Sequence, residues 1–191
     1  MLFLIKDSPS SVPKIKRGNE EIAADEHGNA ELFSSQLERA EGYGEIWKIV
    51  KETVRNFLGK SRVNMMLFLD ALPLRLGAYH SVGTNNIVLN KSLVELVEAT
   101  AKSKLEVNAF TYTLLVHEYL HALGYLSEDD VRRLVLRISR ACFGENHVAT
   151  RLARNGPWAL LSGVQIDGLV APESPMEIVK DFEKPNRDYI V

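Results

Sequence analysis

The chain has 191 residues, of which 46% are hydrophobic and 25% are charged, and its formal net charge is -2. This length and composition fit one domain, with or without appendages. The charge has no basic excess, so we expect no nucleic-acid partner and no attraction to an anionic membrane. The single cysteine, Cys142, excludes an internal disulfide and a zinc site built from clustered cysteines.

Hydrophobic runs give no sign of a membrane or of export. The opening "MLFLI" is followed at once by Lys6 and Asp7, which makes it too short for a signal peptide, and no later run reaches the length of a membrane span. We therefore expect a cytoplasmic protein without a membrane partner. The sequence gives no indication of the oligomeric state.

The first third of the chain changes from irregular to helical. Prolines and glycines interrupt residues 1–35, and their charges follow no period, so we expect an irregular N-terminal segment there. From Gln36 to Lys60 apolar residues recur at helical spacing, and Gly59 is a suitable end for that helix.

The middle of the chain predicts a sheet followed by helices. Residues 62–70 are almost continuously apolar, as in a buried strand. Residues 72–90 suggest two strands around a Gly-Thr-Asn-Asn turn, with Pro73 favouring an edge position and His80 expected in a surface loop. Helical patterns then follow at 91–103, 107–123, 127–143 and 147–154. We expect an α+β domain over 36–156 and a loop-like C-terminal extension over 157–191.

The stretch "LLVHEYLHALGY" (114–125) sets polar groups inside a helix that is apolar nearly all round. Burying two imidazoles and a carboxylate without partners costs several kcal/mol, about enough to unfold a marginal domain. His117 and His121 are spaced i and i+4, so both can reach one Zn²⁺, while Glu118 is rotated away from them. The pattern is H-E-x-x-H, with two metal ligands and Glu118 as general base. The alternative is a pair of core histidines that bond to the backbone or to Glu118.

"HEYLHALGY" resembles the zinc-binding helix of the zincin metallopeptidases, and the order of elements from Gln36 to Phe143 is compatible with that family. The resemblance implies a zincin-like α+β fold in which a small twisted mixed sheet packs on helices that include the active-site helix. It also makes "NNIVLN" (85–90) the candidate edge strand above the metal, where an extended peptide could bind by main-chain hydrogen bonds. The alternative is an ordinary structural strand.

A catalytic zinc usually has three protein ligands, and here the third is open. The metzincin pattern would place it at the position of Ser127, which departs from that pattern, whereas the gluzincin pattern takes a glutamate from the next helix. The candidates are Glu128, Asp129, Asp130, Glu145 and His147. The acids at 128–130 also suit a helix start. His147 is favoured, because imidazole is a common zinc ligand and this residue has no evident structural task.

The sequence therefore predicts a zinc-dependent metallopeptidase with one Zn²⁺ per chain, acting on a peptide or protein substrate. One alternative is a metal-dependent endoribonuclease of the YbeY type, which "HALGYLSEDD" resembles. That motif has glycine in place of Glu118 and histidine in place of Ser127, so both differences point away from it. The other alternative is a non-catalytic zincin-fold binding protein. Residues 1–35 or 171–191 could restrain the enzyme by lying along the edge strand, or could simply be disordered.

Overall fold

A mixed four-stranded sheet and six α-helices form the fold in the computed structural model, which describes residues 22–164 and 175–183. This confirms the α+β class. No helix in these two ranges has the length and apolar character needed to cross a membrane. The elements in chain order are α1 (Ile22–Arg39), α2 (Tyr43–Leu58), β1 (Met66–Asp70), β2 (Ala78–His80), β3 (Asn86–Asn90), α3 (Lys91–Thr100), α4 (Lys104–Ala122), α5 (Glu128–Phe143), α6 (Val148–Asn155), a 3₁₀ turn (Pro157–Leu161) and β4 (Glu177–Ile178).

The strand order in the sheet is β2-β3-β1-β4. β3 runs parallel to β1, with Met66 opposite Asn86, and antiparallel to β2, with Tyr79 opposite Val88. The prediction that 85–90 forms an edge strand is therefore wrong, because β3 lies inside the sheet and β2 occupies the edge. β2 is only three residues long, and the chain returns from it to β3 through a turn over 81–85, which overlaps the turn predicted at 83–86.

Asn90 joins the end of β3 to two neighbouring segments. Its fully buried side chain accepts a hydrogen bond from the backbone N–H of Leu93 and so caps α3. Its amide nitrogen lies 2.8–3.1 Å from the carbonyl oxygens of Leu72, Pro73 and Leu76. One side chain therefore holds the loop that leads into β2 against the start of α3.

Helix α4 runs through the core, and its buried residues are distributed over every face of the helix. Its tyrosines have partners: the Tyr112 hydroxyl lies 3.0 Å from that of Thr53, and the Tyr119 hydroxyl accepts from the N–H of Arg62 at 2.7 Å. Trp47 packs edge-on against Tyr119, with ring centroids 4.8 Å apart. The prediction of a buried helix at 107–123 is confirmed.

The N-terminal part of the fold differs from the prediction in two places. The segment predicted to be irregular over 1–35 includes most of α1, which begins at Ile22. The helix predicted over 36–60 is divided between α1 and α2, because the chain is extended at Gly42. The apolar pattern of α1 is short, and its described core residues are Phe33 and Leu37, with Asn108 donating to the Leu37 carbonyl oxygen at 2.8 Å. That long-range partner could not be inferred from local spacing.

The C-terminal extension contributes to the core at the edge of the sheet opposite β2. β4 pairs antiparallel with β1, and Phe182 stacks on Trp47 with ring centroids 4.6 Å apart. The Glu183 carboxylate accepts from the N–H of Met65 at 2.7 Å and pairs with Lys51. Residues 175–183 therefore lie along β1 and not along β3, the strand at 85–90 on which an inhibitory tail was considered as an alternative to disorder. The remainder of 171–191 lies outside the described residues.

Removing the Phe182 side chain should destabilise the protein. Phe182 is only 4% exposed, so Phe182→Ala should lower the free energy of unfolding by about 3–5 kcal/mol, as for other buried aromatic residues. Urea denaturation measures this change. Ile178→Ala is the matched control in the same segment, because Ile178 is 58% exposed and should shift stability by about 0.5 kcal/mol or less. Equal losses in both variants would contradict the docked position of the tail.

Candidate metal centre

Three side chains converge where α4 ends and α5 begins. The Nε2 atoms of His117 and His121 lie 3.2 Å apart. The Glu128 carboxylate places one oxygen 3.1 Å from His121 Nε2 and the other 3.3 Å from His117 Nε2. In the part of the chain that the structure describes, this is the group of histidine, cysteine and acidic side chains whose ligand atoms all lie within 4.8 Å of one another.

The local sequence explains this convergence. His117 and His121 are one turn apart on α4, so their rings lie side by side, with centroids 4.9 Å apart. Gly124 has φ 94°, a left-handed conformation that reverses the chain after α4. Ser127 then caps α5 by accepting from the N–H of Asp130. Glu128 is therefore the first residue of α5 and faces back to the two histidines.

The orientation of the His121 ring is fixed by a backbone carbonyl. Its Nδ1 lies 2.8 Å from the carbonyl oxygen of Tyr125. A carbonyl oxygen only accepts hydrogen bonds, so Nδ1 donates to it and Nε2 faces the cluster. Two imidazole nitrogens and a carboxylate are ligands that a transition metal can share. The donor set and its orientation thus fit a divalent metal ion held by His117, His121 and Glu128.

The surroundings of His117 favour its neutral form. Burial lowers the pKa of His117 most, and the charge of Glu128 opposes this effect, while His121 and Arg132 add to it. A neutral imidazole is the form that binds metals, because the ring then keeps a free lone pair.

Glu118 lies next to the cluster and is only 7% exposed. Burial, followed by the negative charge of Glu128, raises the pKa of its carboxyl to about 7, although a hydrogen bond from the backbone of His80 acts in the opposite direction. A carboxyl group with a pKa near neutrality can both accept and return a proton. Glu118 is therefore a candidate general acid and base.

The edge strand β2 brings His80 to Glu118. Gly77, just before β2, permits this approach, since a Cβ atom there would lie 2.7 Å from Leu114 Cδ2 of α4. The His80 ring is held by its Nδ1, which lies 2.9 Å from the carbonyl oxygen of Asn86. Sequence reasoning missed this contact, because it expected His80 in a surface loop. The glycine that precedes "AYH" was the available signal for a close strand–helix contact.

His147 lies outside the cluster, although it was the favoured third ligand. It is the N-cap of α6, where its Nδ1 accepts from the N–H of Ala149 at 3.1 Å. Its ring stacks on Phe143 with a centroid distance of 4.8 Å, and its Nε2 is buried. The structure therefore places the favoured His147 away from the two histidines: its side chain caps α6, and among the described residues its buried Nε2 has no hydrogen-bond partner.

The other predicted acids are also separate from the two histidines. Asp130 pairs with Arg133, and Glu145 pairs with Arg140 and Arg154. Asp129 is exposed on α5. Of the five candidates for the third ligand, the structure brings Glu128 to His117 and His121.

Comparison with known proteins does not assign the chain to a family. No family model matches it, and no curated protein or solved structure is significantly similar to it.

Removing the Glu128 carboxylate should weaken metal binding. Glu128→Ala should lower zinc affinity by more than about tenfold. Loss of a residue that only hydrogen-bonds to a metal ligand already lowers metal affinity by about 10–100-fold, and a direct ligand should contribute at least as much. Competition with a chromophoric chelator measures the affinity. Asp129→Ala, which removes the same charge from the adjacent exposed residue, and His147→Asn should both retain it. A larger loss in His147→Asn than in Glu128→Ala would return the ligand role to His147.

The burial of His147 should make folding stability depend on pH. Burial, with a smaller effect of Arg151, lowers the pKa of His147 from 6.5 to about 4. The unfolded chain therefore binds a proton at this histidine more readily than the folded chain does. Folding stability is thus highest above pH 6.5 and decreases as the pH falls towards about 4. His147→Asn keeps an acceptor for the cap but cannot titrate. Urea denaturation at pH 7 and pH 4.5 should show a larger loss of unfolding free energy in the wild type than in the variant; parallel losses would contradict this.

Proposed function

We propose that this protein is a zinc-dependent metallopeptidase that holds one Zn²⁺ through His117, His121 and Glu128. One observation carries the proposal: the ligand atoms of His117, His121 and Glu128 converge at the helix turn that also carries Glu118, whose buried carboxyl is influenced by the charge of Glu128. A buried carboxyl with a raised pKa close to metal-ligating side chains is typical of a catalytic site.

The donor set favours zinc. Two imidazole nitrogens and one carboxylate suit zinc, whereas Mg²⁺ and Ca²⁺ prefer all-oxygen sites. Three protein ligands also leave a fourth position for water or substrate, as in catalytic zinc sites. The origin of the carboxylate in the helix after H-E-x-x-H supports the gluzincin arrangement rather than the metzincin one.

The chemistry proposed for the chain is hydrolysis of a peptide bond. When bound, zinc supplies a Lewis acid that polarises a carbonyl and makes water more acidic. Glu118 takes a proton from the attacking water, whose oxygen bonds to the peptide carbonyl carbon. The carbon–nitrogen bond then breaks, and Glu118 delivers the proton to the leaving amine. The backbone N–H of His80 keeps the Glu118 carboxylate oriented during both transfers.

Two features support a peptide substrate over RNA. β2 is an edge strand beside Glu118, so an extended peptide could lie along it by main-chain hydrogen bonds. The net charge of -2 also gives no sign of the extended basic surface that a nucleic-acid backbone requires.

Replacing Glu118 by glutamine should separate metal binding from catalysis. Glu118→Gln should keep its zinc and lose peptide hydrolysis by about 10²-fold or more, because an amide cannot accept the proton of water. Elemental analysis and cleavage of a fluorogenic peptide library measure the two properties. Glu95→Gln, an exposed residue of α3, is the control and should retain both.

The outcomes discriminate among the candidate functions. Equal zinc content in wild type and His121→Ala would refute the metal site. Wild-type hydrolysis by Glu118→Gln would remove Glu118 from the mechanism. A zinc-loaded wild type that binds peptides without cleaving them would favour the non-catalytic binding protein, and cleavage of RNA instead of peptides would favour the nuclease.

A further inference from the structure

Arg132 lies one helical turn beyond Glu128 on α5. The i, i+4 spacing places the two side chains on the same face of the helix, with Cβ atoms about 5–6 Å apart. Because Glu128 faces His117 and His121, Arg132 borders the same cluster from the solvent side, and it is exposed. Its charge contributes to the lowered pKa of His117, after the larger effects of burial and of its other neighbours.

The neighbouring arginines of α5 have partners, whereas Arg132 has none that would hold its charge. Arg133 pairs with Asp130 at 2.5 Å, Arg140 pairs with Glu145 at 2.6 Å, and Arg137 lies over the ring of Phe57. Over residues 22–164 and 175–183, the guanidinium of Arg132 makes no ion pair or hydrogen bond. Its donors are therefore available to a ligand at the mouth of the cluster.

The charges around the cluster favour an anionic ligand group at this position. With zinc bound, the carboxylate of Glu128 would be engaged by the metal, so the guanidinium of Arg132 would keep its donors for an anionic ligand group. A guanidinium presents a planar set of donors that matches both oxygens of a carboxylate.

We propose that Arg132 is a specificity-determining residue that selects peptides with a carboxylate close to the scissile bond. This inference rests on the proposed peptidase function. The carboxylate belongs either to an acidic side chain or to the C-terminus of the peptide, and both sources offer the same group to the guanidinium.

Peptide binding to a chain that cannot turn over tests the proposal. The protein is Glu118→Gln loaded with zinc, and the probes are fluorescein-labelled alanine-based peptides studied by fluorescence anisotropy. One pair differs by Glu against Gln inside an amidated peptide; a second pair differs by a free against an amidated C-terminus. In at least one pair the carboxylate peptide should bind about five- to tenfold more tightly. The pair that shows the preference identifies the source of the carboxylate.

Adding Arg132→Gln should abolish this preference and leave the affinity for the neutral peptides unchanged. Adding Arg133→Gln instead is the matched control, since it removes the same charge from the adjacent residue and should retain the preference. No preference in either pair, or equal losses in the two arginine variants, would overturn the proposal. Zinc content, measured on the same samples, separates the two claims. A zinc-loaded chain without the preference refutes the role of Arg132 and leaves the metal site standing. A zinc-free chain that keeps an Arg132-dependent preference refutes the metal site and leaves the role of Arg132 standing.

Discussion

The rest of the structure depends on the burial of α4 on all its faces. A helix in that position must find a partner for each polar group that it carries into the core. In its first turns the protein itself supplies these partners, such as the carbonyl oxygens of Leu37 and Ala40 for Asn108 and the Thr53 hydroxyl for Tyr112. At its C-terminal end the imidazoles face one another and a carboxylate instead. This difference along one helix is the basis of the proposed metal site.

Sequence reasoning succeeded where the determinants are local. The i, i+4 spacing of His117 and His121 follows from helix geometry alone, and the apolar surroundings of the motif correctly predicted a buried helix. The helices from α3 to α6 and the turn between β2 and β3 were also predicted, because caps, glycines and periodic apolar residues lie within each segment. The α+β class followed from the order of these elements.

The errors concern residues whose role depends on distant segments. Glu128 is the first residue of a helix, where an acid stabilises the helix dipole and where it also faces the histidines, so composition alone could not separate the two roles. His147 seemed to have no structural task, but its ring serves as a cap and stacks on Phe143. The position of β2 at the edge depends on which strands pair in the sheet, and the sequence of a three-residue strand is too short to indicate its partner.

The short loop between α4 and α5 has a consequence for how the centre forms during folding. His117, His121 and Glu128 all lie within residues 117–128, so bringing them together closes only a small loop and costs little chain entropy. Glu118 acquires its partner only when β2 arrives from residue 80, together with the long-range pairing of the sheet. We therefore expect the ligands of the proposed metal site to come together in a helical hairpin before the surroundings of Glu118 exist. Assembly of these ligands and completion of the proposed catalytic site would then be two successive events in the folding of one chain.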